Sequence, residues 1–106
     1  MAAAEQITVV LADDHNVIRA GLRAMLEADE RMRVIGEGAD AAAAAKLVAD
    51  RRPGVLVLDL QMPGADPRAD VPRLREEHPG TAIIVLTMKS DPRMARDLLR
   101  DRKSVV

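Results

Sequence analysis

Four aliphatic runs, with helix-like segments between them, constrain the fold more than any other feature of this chain. They occupy residues 7–12, 32–37, 55–60 and 81–87, with the sequences ITVVLA, MRVIGE, VLVLDL and TAIIVLT. Short runs rich in β-branched and aliphatic side chains are typical of strands. Two of the runs, VLVLDL and TAIIVL, are continuously apolar rather than alternating, which predicts strands that helices cover on both faces of a parallel sheet.

The segments between these runs predict helices. Residues 16–29 (NVIRAGLRAMLEAD) place four apolar side chains near one face, and these are Val17, Leu22, Met25 and Leu26. Residues 41–50 (AAAAAKLVAD) are rich in alanine, the strongest helix former. Residues 65–78 contain two prolines, so only the second half of that segment is expected to be firmly helical. The resulting order, βαβαβαβα, predicts an open doubly wound α/β layer.

Length and composition limit the possible functions. A chain of 106 residues forms one domain at most. Its formal charge of -1 creates no general attraction to nucleic acid or to an anionic membrane. Cysteine is absent, which excludes disulfides and thiolate metal sites, and Phe, Tyr and Trp are absent, so the core must be aliphatic. With no signal peptide and no apolar run near roughly 18 residues, a cytoplasmic protein is expected.

Acidic and hydroxyl side chains stand where three of the four predicted strands end. Asp13 and Asp14 follow the first strand, Asp59 lies at the end of the third, and Thr87 lies at the end of the fourth. In doubly wound sheets, functional groups gather at the carboxyl ends of the strands. Three converging carboxylates would raise at least one pKa unless a cation neutralises them, and hard oxygen ligands favour Mg²⁺ or Mn²⁺. The pattern therefore predicts a metal-assisted site for phosphoryl chemistry.

Within this site, Asp59 is the candidate nucleophile. A carboxylate can attack a phosphoryl group to form an acyl phosphate, and Pro63 and Gly64 turn the chain away directly after it. Thr87 is expected to donate a hydrogen bond to a phosphoryl oxygen.

Two simpler interpretations concern residues next to this site. Asp14 is also a plausible N-cap for a helix that opens at His15 or Asn16. His15 is interpreted as a structural histidine at a helix start rather than as a ligand or a phosphate carrier. Beyond the fourth strand, basic residues alternate with Asp91, Asp97 and Asp101, which indicates a solvated helix face rather than a nucleic-acid contact.

The segments ADDHNVIRAGLRAML, VLVLDLQMPG and HPGTAIIVLTM, with the spacing between them, resemble the receiver domain of bacterial two-component response regulators. The motif DDH-x-x-x-R-x-G-L resembles that of the family branch whose receivers precede a LuxR-type helix-turn-helix output domain. The resemblance runs from about residue 7 to about residue 99. It implies a flavodoxin-like receiver fold and the control of transcription by full-length relatives.

The resemblance also implies roles for individual residues. Asp59 would accept a phosphoryl group from the phosphohistidine of a sensor histidine kinase. Asp13, Asp14 and Asp59 would hold Mg²⁺, with Asp14 as the more direct ligand of the acid pair, and Gln61 would add its backbone carbonyl. Thr87 would be the switch hydroxyl. The domain would be a signalling module rather than an enzyme, and full-length relatives would dimerise through it, while this chain itself would contact no nucleic acid and no membrane.

Receiver domains of this family carry a fifth strand with a lysine that pairs with the phosphoryl group, followed by a fifth helix. Here the sequence ends in RMARDLLRDRKSVV, and neither Lys89 nor Lys103 matches the position of that lysine. The sheet is therefore expected to have strand order 2-1-3-4 without the fifth strand and helix. The expected domain is an incomplete receiver over residues 1–106, native-like to about residue 100, with a non-native end at 101–106 as a hypothesis and no output domain.

A dinucleotide-binding module is the rival prediction. Gly36, Gly38 and Ala41 fit G-x-G-x-x-A between a strand and a helix, and Asp59 ends the next strand along the chain at a distance suited to a ribose hydroxyl. The rival leaves Asp13, Asp14 and the Met-Pro-Gly turn without a role, and Glu37 would place a negative charge beside a pyrophosphate. A flexible turn explains the two glycines equally well.

Overall fold

The computed structural model describes residues 6–62 and 64–86, together with the backbone of residues 104 and 105. The elements in chain order are β1 (Ile7–Ala12), α1 (Asn16–Glu27), β2 (Met32–Gly38), α2 (Ala41–Arg51), β3 (Val55–Asp59), α3 (Pro67–Glu77), β4 (Ala82–Leu86) and β5 (Ser104–Val105). Thr87, Lys89, Lys103 and Pro63 lie outside the residues whose side chains are described, so the expectations for them stay predictions.

The strands form one parallel sheet in the order β2-β1-β3-β4-β5. The predicted doubly wound α/β fold and the order 2-1-3-4 are confirmed. The expected absence of a fifth strand is corrected, because Ser104 and Val105 pair in parallel with Ile83 and Ile84. An open sheet edge presents unpaired N–H and C=O groups, and two residues are enough to pair with part of it.

The two faces of the sheet carry separate apolar clusters, because successive side chains of a strand point to opposite faces. On one face, Val10 and Leu56 pack with residues of α2 and α3, including Val48 and Val71, and all four are fully buried. On the other face, Val9, Leu11, Val34 and Val57 form a smaller cluster against which Leu22 and Leu26 of α1 pack. Both clusters are aliphatic, as the composition requires.

Helix α1 buries less of its apolar surface than the sequence pattern indicated. Leu22 and Leu26 contact the sheet, but Val17 is 85% exposed and Met25 is 68% exposed. Val17 precedes Leu22 by five residues, which at 3.6 residues per turn is a rotation of roughly 140° around the helix. Of the four side chains predicted near one face, Leu22 and Leu26 therefore pack on the sheet while Val17 and Met25 stay exposed.

Helix α3 is regular from its first residue, although only its second half was expected to be firmly helical. Pro67 occupies the first turn, where no backbone N–H is needed. Pro72 lies inside the helix on its exposed side, while Val71 and Leu74 are buried against the sheet. Pro72 cannot donate a backbone hydrogen bond within the helix, and the burial of Val71 and Leu74 stabilises the helix in spite of that loss.

Candidate functional site: an acidic pocket at the carboxyl edge of the sheet

Asp13, Asp14 and Asp59 meet at the carboxyl ends of β1 and β3, which are neighbours in the sheet. One ligand atom from each of these residues and from His15 lies within 4.8 Å of all the others. Asp13 and Asp59 are buried, at 3% and 2% exposure, whereas the side chain of Asp14 is 30% exposed. The pocket therefore has a buried acidic floor with a more open carboxylate at its rim.

The backbone around Asp13 is held on both sides. Its N–H donates to the carbonyl of Gly38 in β2 at 3.0 Å, and its carbonyl accepts from the guanidinium of Arg19 at 2.6 Å. Arg19 is itself held by an ion pair at 3.1 Å between its Nε and Oε1 of Glu37. The side chain of Asp13 accepts the backbone N–H of His15 at 2.7 Å. These bonds tie the turn after β1 to both β2 and α1.

The turn also decides which residue begins helix α1. His15 stands at the N-cap in an extended conformation, and the helix has no side-chain cap hydrogen bond among the described residues. Asp14 therefore does not act as the cap that the sequence left open as an alternative. Its carboxylate is free to face the pocket.

Asp59 is placed by the pairing of β3 with β4. It lies opposite Leu86 in the ladder, and the N–H of Leu60 donates to the carbonyl of Leu86 at 3.0 Å. The N–H of Gln61 donates to Oδ1 of Asp59 at 2.9 Å, which orients the carboxylate. Gly64 adopts a φ of 73°, a left-handed conformation that suits glycine and carries the chain away from the pocket.

The electrostatics of the pocket call for a cation. Within the described part of the chain, Oδ2 of Asp59 is buried and has no hydrogen-bond partner, and Oδ1 of Asp14 is buried with only the ring of His15 beside it, at 2.9 Å. Burial raises the pKa of Asp59, the N–H of Gln61 opposes that rise, and the carboxylates of Asp13 and Asp14 raise it further. Unpartnered carboxylate oxygens in a cluster are suitable ligands for a hard divalent ion. The donor set present thus fits the metal that the sequence predicted.

His15 is the residue that the sequence interpretation undervalued. Its Nδ1 lies 2.9 Å from Oδ1 of Asp14, 3.2 Å from Oδ1 of Asp13 and 3.9 Å from Oδ2 of Asp59. Its position directly after the acid pair was the available signal, but sequence cannot show that the ring turns inward. Arg19 and Glu37 were also missed as a pair, because they are 18 residues apart and come together only when α1 packs beside β2.

The dinucleotide-binding alternative is not supported by the geometry. Gly36 and Gly38 lie within strand β2, where Leu47 and Ala43 would contact any added Cβ at 3.0 and 3.1 Å. The side chain of Asp40 already caps α2 by accepting the N–H of Ala43, so a carboxylate stands where a pyrophosphate would have to bind. In addition, β1 separates β2 from β3, so Asp59 does not lie on the strand adjacent to the glycines.

A flavodoxin-like parallel sheet with an acidic pocket at the carboxyl end of its central strands defines a class of signalling domain, and comparison with known families agrees. Residues 9–103 match the model of the response regulator receiver domain. The chain therefore belongs to the response regulator receiver domain family.

Individual relatives point in the same direction. The chain is 36% identical over 83 residues to the uncharacterized transcriptional regulatory protein YhcZ of Bacillus subtilis, covering 78% of this chain and 39% of that protein. It is 40% identical over 84 residues to the oxygen regulatory protein NreC of Staphylococcus epidermidis, covering 78% of this chain and 38% of that protein. The chain thus corresponds to about two fifths of the length of these curated relatives.

Solved structures are similar over most of the chain. The signal receiver domain of the putative response regulator NarL from Mycobacterium tuberculosis superposes with a TM-score of 0.85 at 29% identity, covering 95% of this chain and 80% of that one. The isolated receiver domain of RcsB from Salmonella enterica serovar Typhimurium, determined with the phosphomimetic BeF3-, has a TM-score of 0.85 at 32% identity and covers 91% and 72% of the two chains.

No described helix is both long enough and apolar enough to cross a bilayer.

Proposed function

We propose that this domain accepts a phosphoryl group on Asp59, with a divalent cation held by Asp13, Asp14, Asp59 itself and the backbone carbonyl of Gln61. The observation that carries the proposal is the buried Oδ2 of Asp59, which has no hydrogen-bond partner in the described chain and lies among two further carboxylates. A buried carboxylate oxygen without a hydrogen-bond partner keeps a free lone pair, and a bound cation stabilises its negative charge.

The transfer would proceed by attack of an oxygen of Asp59 on the phosphorus of a phosphohistidine. A new P–O bond forms, the P–N bond to the imidazole of the kinase breaks, and the imidazole leaves with the electron pair and takes up a proton. The N–H of Gln61 orients the carboxylate through Oδ1, and Oδ2 makes no hydrogen bond within the described chain. When bound, Mg²⁺ would spread the negative charge that develops on the phosphoryl oxygens.

Thr87 is proposed as the hydroxyl that responds to the new phosphoryl group. The support is its place in the chain: it directly follows Leu86, which is the ladder partner of Asp59. In doubly wound sheets the residues that follow the carboxyl ends of the strands supply functional groups to this edge.

The partners follow from the same proposal. A sensor histidine kinase would supply the phosphoryl group, and the domain would regulate a linked function rather than catalyse a reaction on an outside substrate. By analogy with relatives described as transcriptional regulators, a full-length protein would control transcription in the cytoplasm and dimerise through this domain. Any DNA contact would belong to a separate output domain.

The test is phosphorylation by a small acyl-phosphate donor such as acetyl phosphate in the presence of Mg²⁺. Mass spectrometry should show a phosphate-sized gain on the peptide that contains Asp59, and Asp59→Asn should abolish it. Asp66→Asn is the matched control, since Asp66 is an exposed carboxylate at the start of α3. Equal labelling of Asp59→Asn and the parent protein would disprove the assignment.

A further inference from the structure

His15 extends the acidic pocket with a nitrogen ligand. Its Nδ1 faces the three carboxylates, while 52% of its side chain is exposed, so the ring lies at the mouth of the pocket. The backbone of His15 is fixed by the bond from its N–H to Oδ1 of Asp13 at 2.7 Å. The ring therefore projects from an anchored turn into the pocket.

The spacing of these atoms suits coordination of a single ion. Around a cation with bonds of about 2.1 Å, neighbouring ligand atoms are about 3.0 to 3.4 Å apart and opposite ones about 4.2 Å. The distances from Nδ1 of His15 to oxygens of Asp14, Asp13 and Asp59 are 2.9, 3.2 and 3.9 Å. The 3.2 Å contact is a hydrogen bond between the ring and Asp13 when no metal is bound, and all three distances lie within the span that one coordination shell requires.

A second and independent observation indicates that a ligand belongs here. Oδ2 of Asp59 is aimed into the pocket from a side chain that is 98% buried, and it has no hydrogen-bond partner among the described residues. Nδ1 of His15 approaches this oxygen only to 3.9 Å, which is too long for a hydrogen bond. The ring alone therefore does not satisfy Asp59, whereas a cation between the two groups would.

We propose that His15 is a metal-specificity residue, which coordinates a first-row transition cation through Nδ1 and shifts the preference of the pocket from Mg²⁺ towards ions such as Zn²⁺ or Mn²⁺. The inference rests on the proposed metal site of the receiver. Imidazole suits borderline cations, whereas Mg²⁺ prefers hard oxygen ligands and keeps several waters. A pocket with carboxylates alone would lack this added nitrogen contribution.

The experiment measures Zn²⁺ and Mg²⁺ affinities by calorimetry for the parent protein, His15→Asn and His78→Asn. His78 is the matched control, because it follows α3 and pairs with Glu77 instead of facing the acidic cluster. We expect the Zn²⁺ dissociation constant of His15→Asn to rise by about tenfold or more while that of Mg²⁺ changes by less than about threefold. An unchanged ratio of the two constants would overturn the proposal, and so would tighter binding of both ions.

Nitrogen-15 NMR of the imidazoles supplies a second readout. Zn²⁺ should shift the Nδ1 resonance of His15 and leave that of His78 unchanged, whereas a shift of neither ring would contradict coordination. Different results would disprove the role of His15 and the metal site itself. If Asp59 is phosphorylated with Mg²⁺ but His15→Asn keeps the parent metal preference, only the role of His15 is wrong; if no divalent ion binds and Asp59 is not labelled, the metal site itself is wrong.

Discussion

Replacing Asp59 by asparagine should stabilise the metal-free protein. The side chain is 2% exposed, and one of its oxygens is buried without a hydrogen-bond partner in the described chain. Oxygens of Asp13 and Asp14 lie within 4.8 Å of an oxygen of Asp59. At that distance two unit charges repel by about 1 kcal/mol at the dielectric constant of water and by about 3 kcal/mol at an effective value of 20. We expect a gain of about 1 to 3 kcal/mol in the free energy of unfolding at neutral pH.

The effect should depend on pH with a definite sign. Burial, together with the Asp13 and Asp14 carboxylates, raises the pKa of Asp59 above its ordinary value of 3.8, so the folded protein holds this proton more tightly than the unfolded chain does. The contribution of Asp59 to stability therefore falls as pH rises from 3.8 through the raised pKa, and this contribution is absent from Asp59→Asn. The stability difference between them should be small near pH 3.8 and largest above the raised pKa.

The assay is urea denaturation of both proteins in a chelator, repeated across pH and then with excess Mg²⁺. Asp66→Asn should stay within about 0.5 kcal/mol of the parent, since Asp66 is exposed and its side chain makes no cap hydrogen bond to α3. A saturating cation at 100 times its dissociation constant should add about 2.7 kcal/mol to the parent and much less to Asp59→Asn. If Asp59→Asn proves less stable than the parent by more than about 1 kcal/mol in chelator at neutral pH, the electrostatic reasoning is refuted.

Two further predictions concern stability away from the pocket. Leu56→Ala should lower the free energy of unfolding by about 2 to 5 kcal/mol in urea melts, because Leu56 is fully buried in the larger cluster. Val17→Ala should change it by less than about 0.5 kcal/mol, because Val17 is 85% exposed. Similar losses for both variants would contradict the assignment of the core. Asp40→Ala should lower the free energy of unfolding by about 1 kcal/mol, because it removes the cap that accepts the N–H of Ala43 at 2.7 Å. Asp40→Asn should keep most of that stability. If Asp40→Ala is as stable as the parent in the same urea melts, the hydrogen bond contributes nothing.

The sequence by itself determined the positions of the first four strands and the convergence of the acids. The four aliphatic runs coincide with β1 to β4 to within one or two residues, because short runs of β-branched and aliphatic side chains favour strands. The two continuous runs, β3 and β4, lie inside the sheet as a strand with both faces covered should. Once the sheet was parallel, chain order alone sent Asp13, Asp14 and Asp59 to the same edge. These features depend on local pattern and on a general rule of topology, so they could be predicted.

Tertiary structure alone decided what surrounds those acids. The inward turn of the His15 ring depends on a rotamer, and the contact between Arg19 and Glu37 depends on how α1 packs beside β2. The exposure of Val17 and Met25 depends on which side of α1 meets the sheet, and the start of α3 at Pro67 depends on burial of Val71 and Leu74. Pairing of Ser104 and Val105 with β4 likewise depends on an edge that exists only after folding. The Arg19–Glu37 pair, the packing of α1 and α3 and the pairing of β5 are contacts between residues distant in the chain, and the rotamer of His15 depends on the pocket that those contacts build, so no local pattern encodes them.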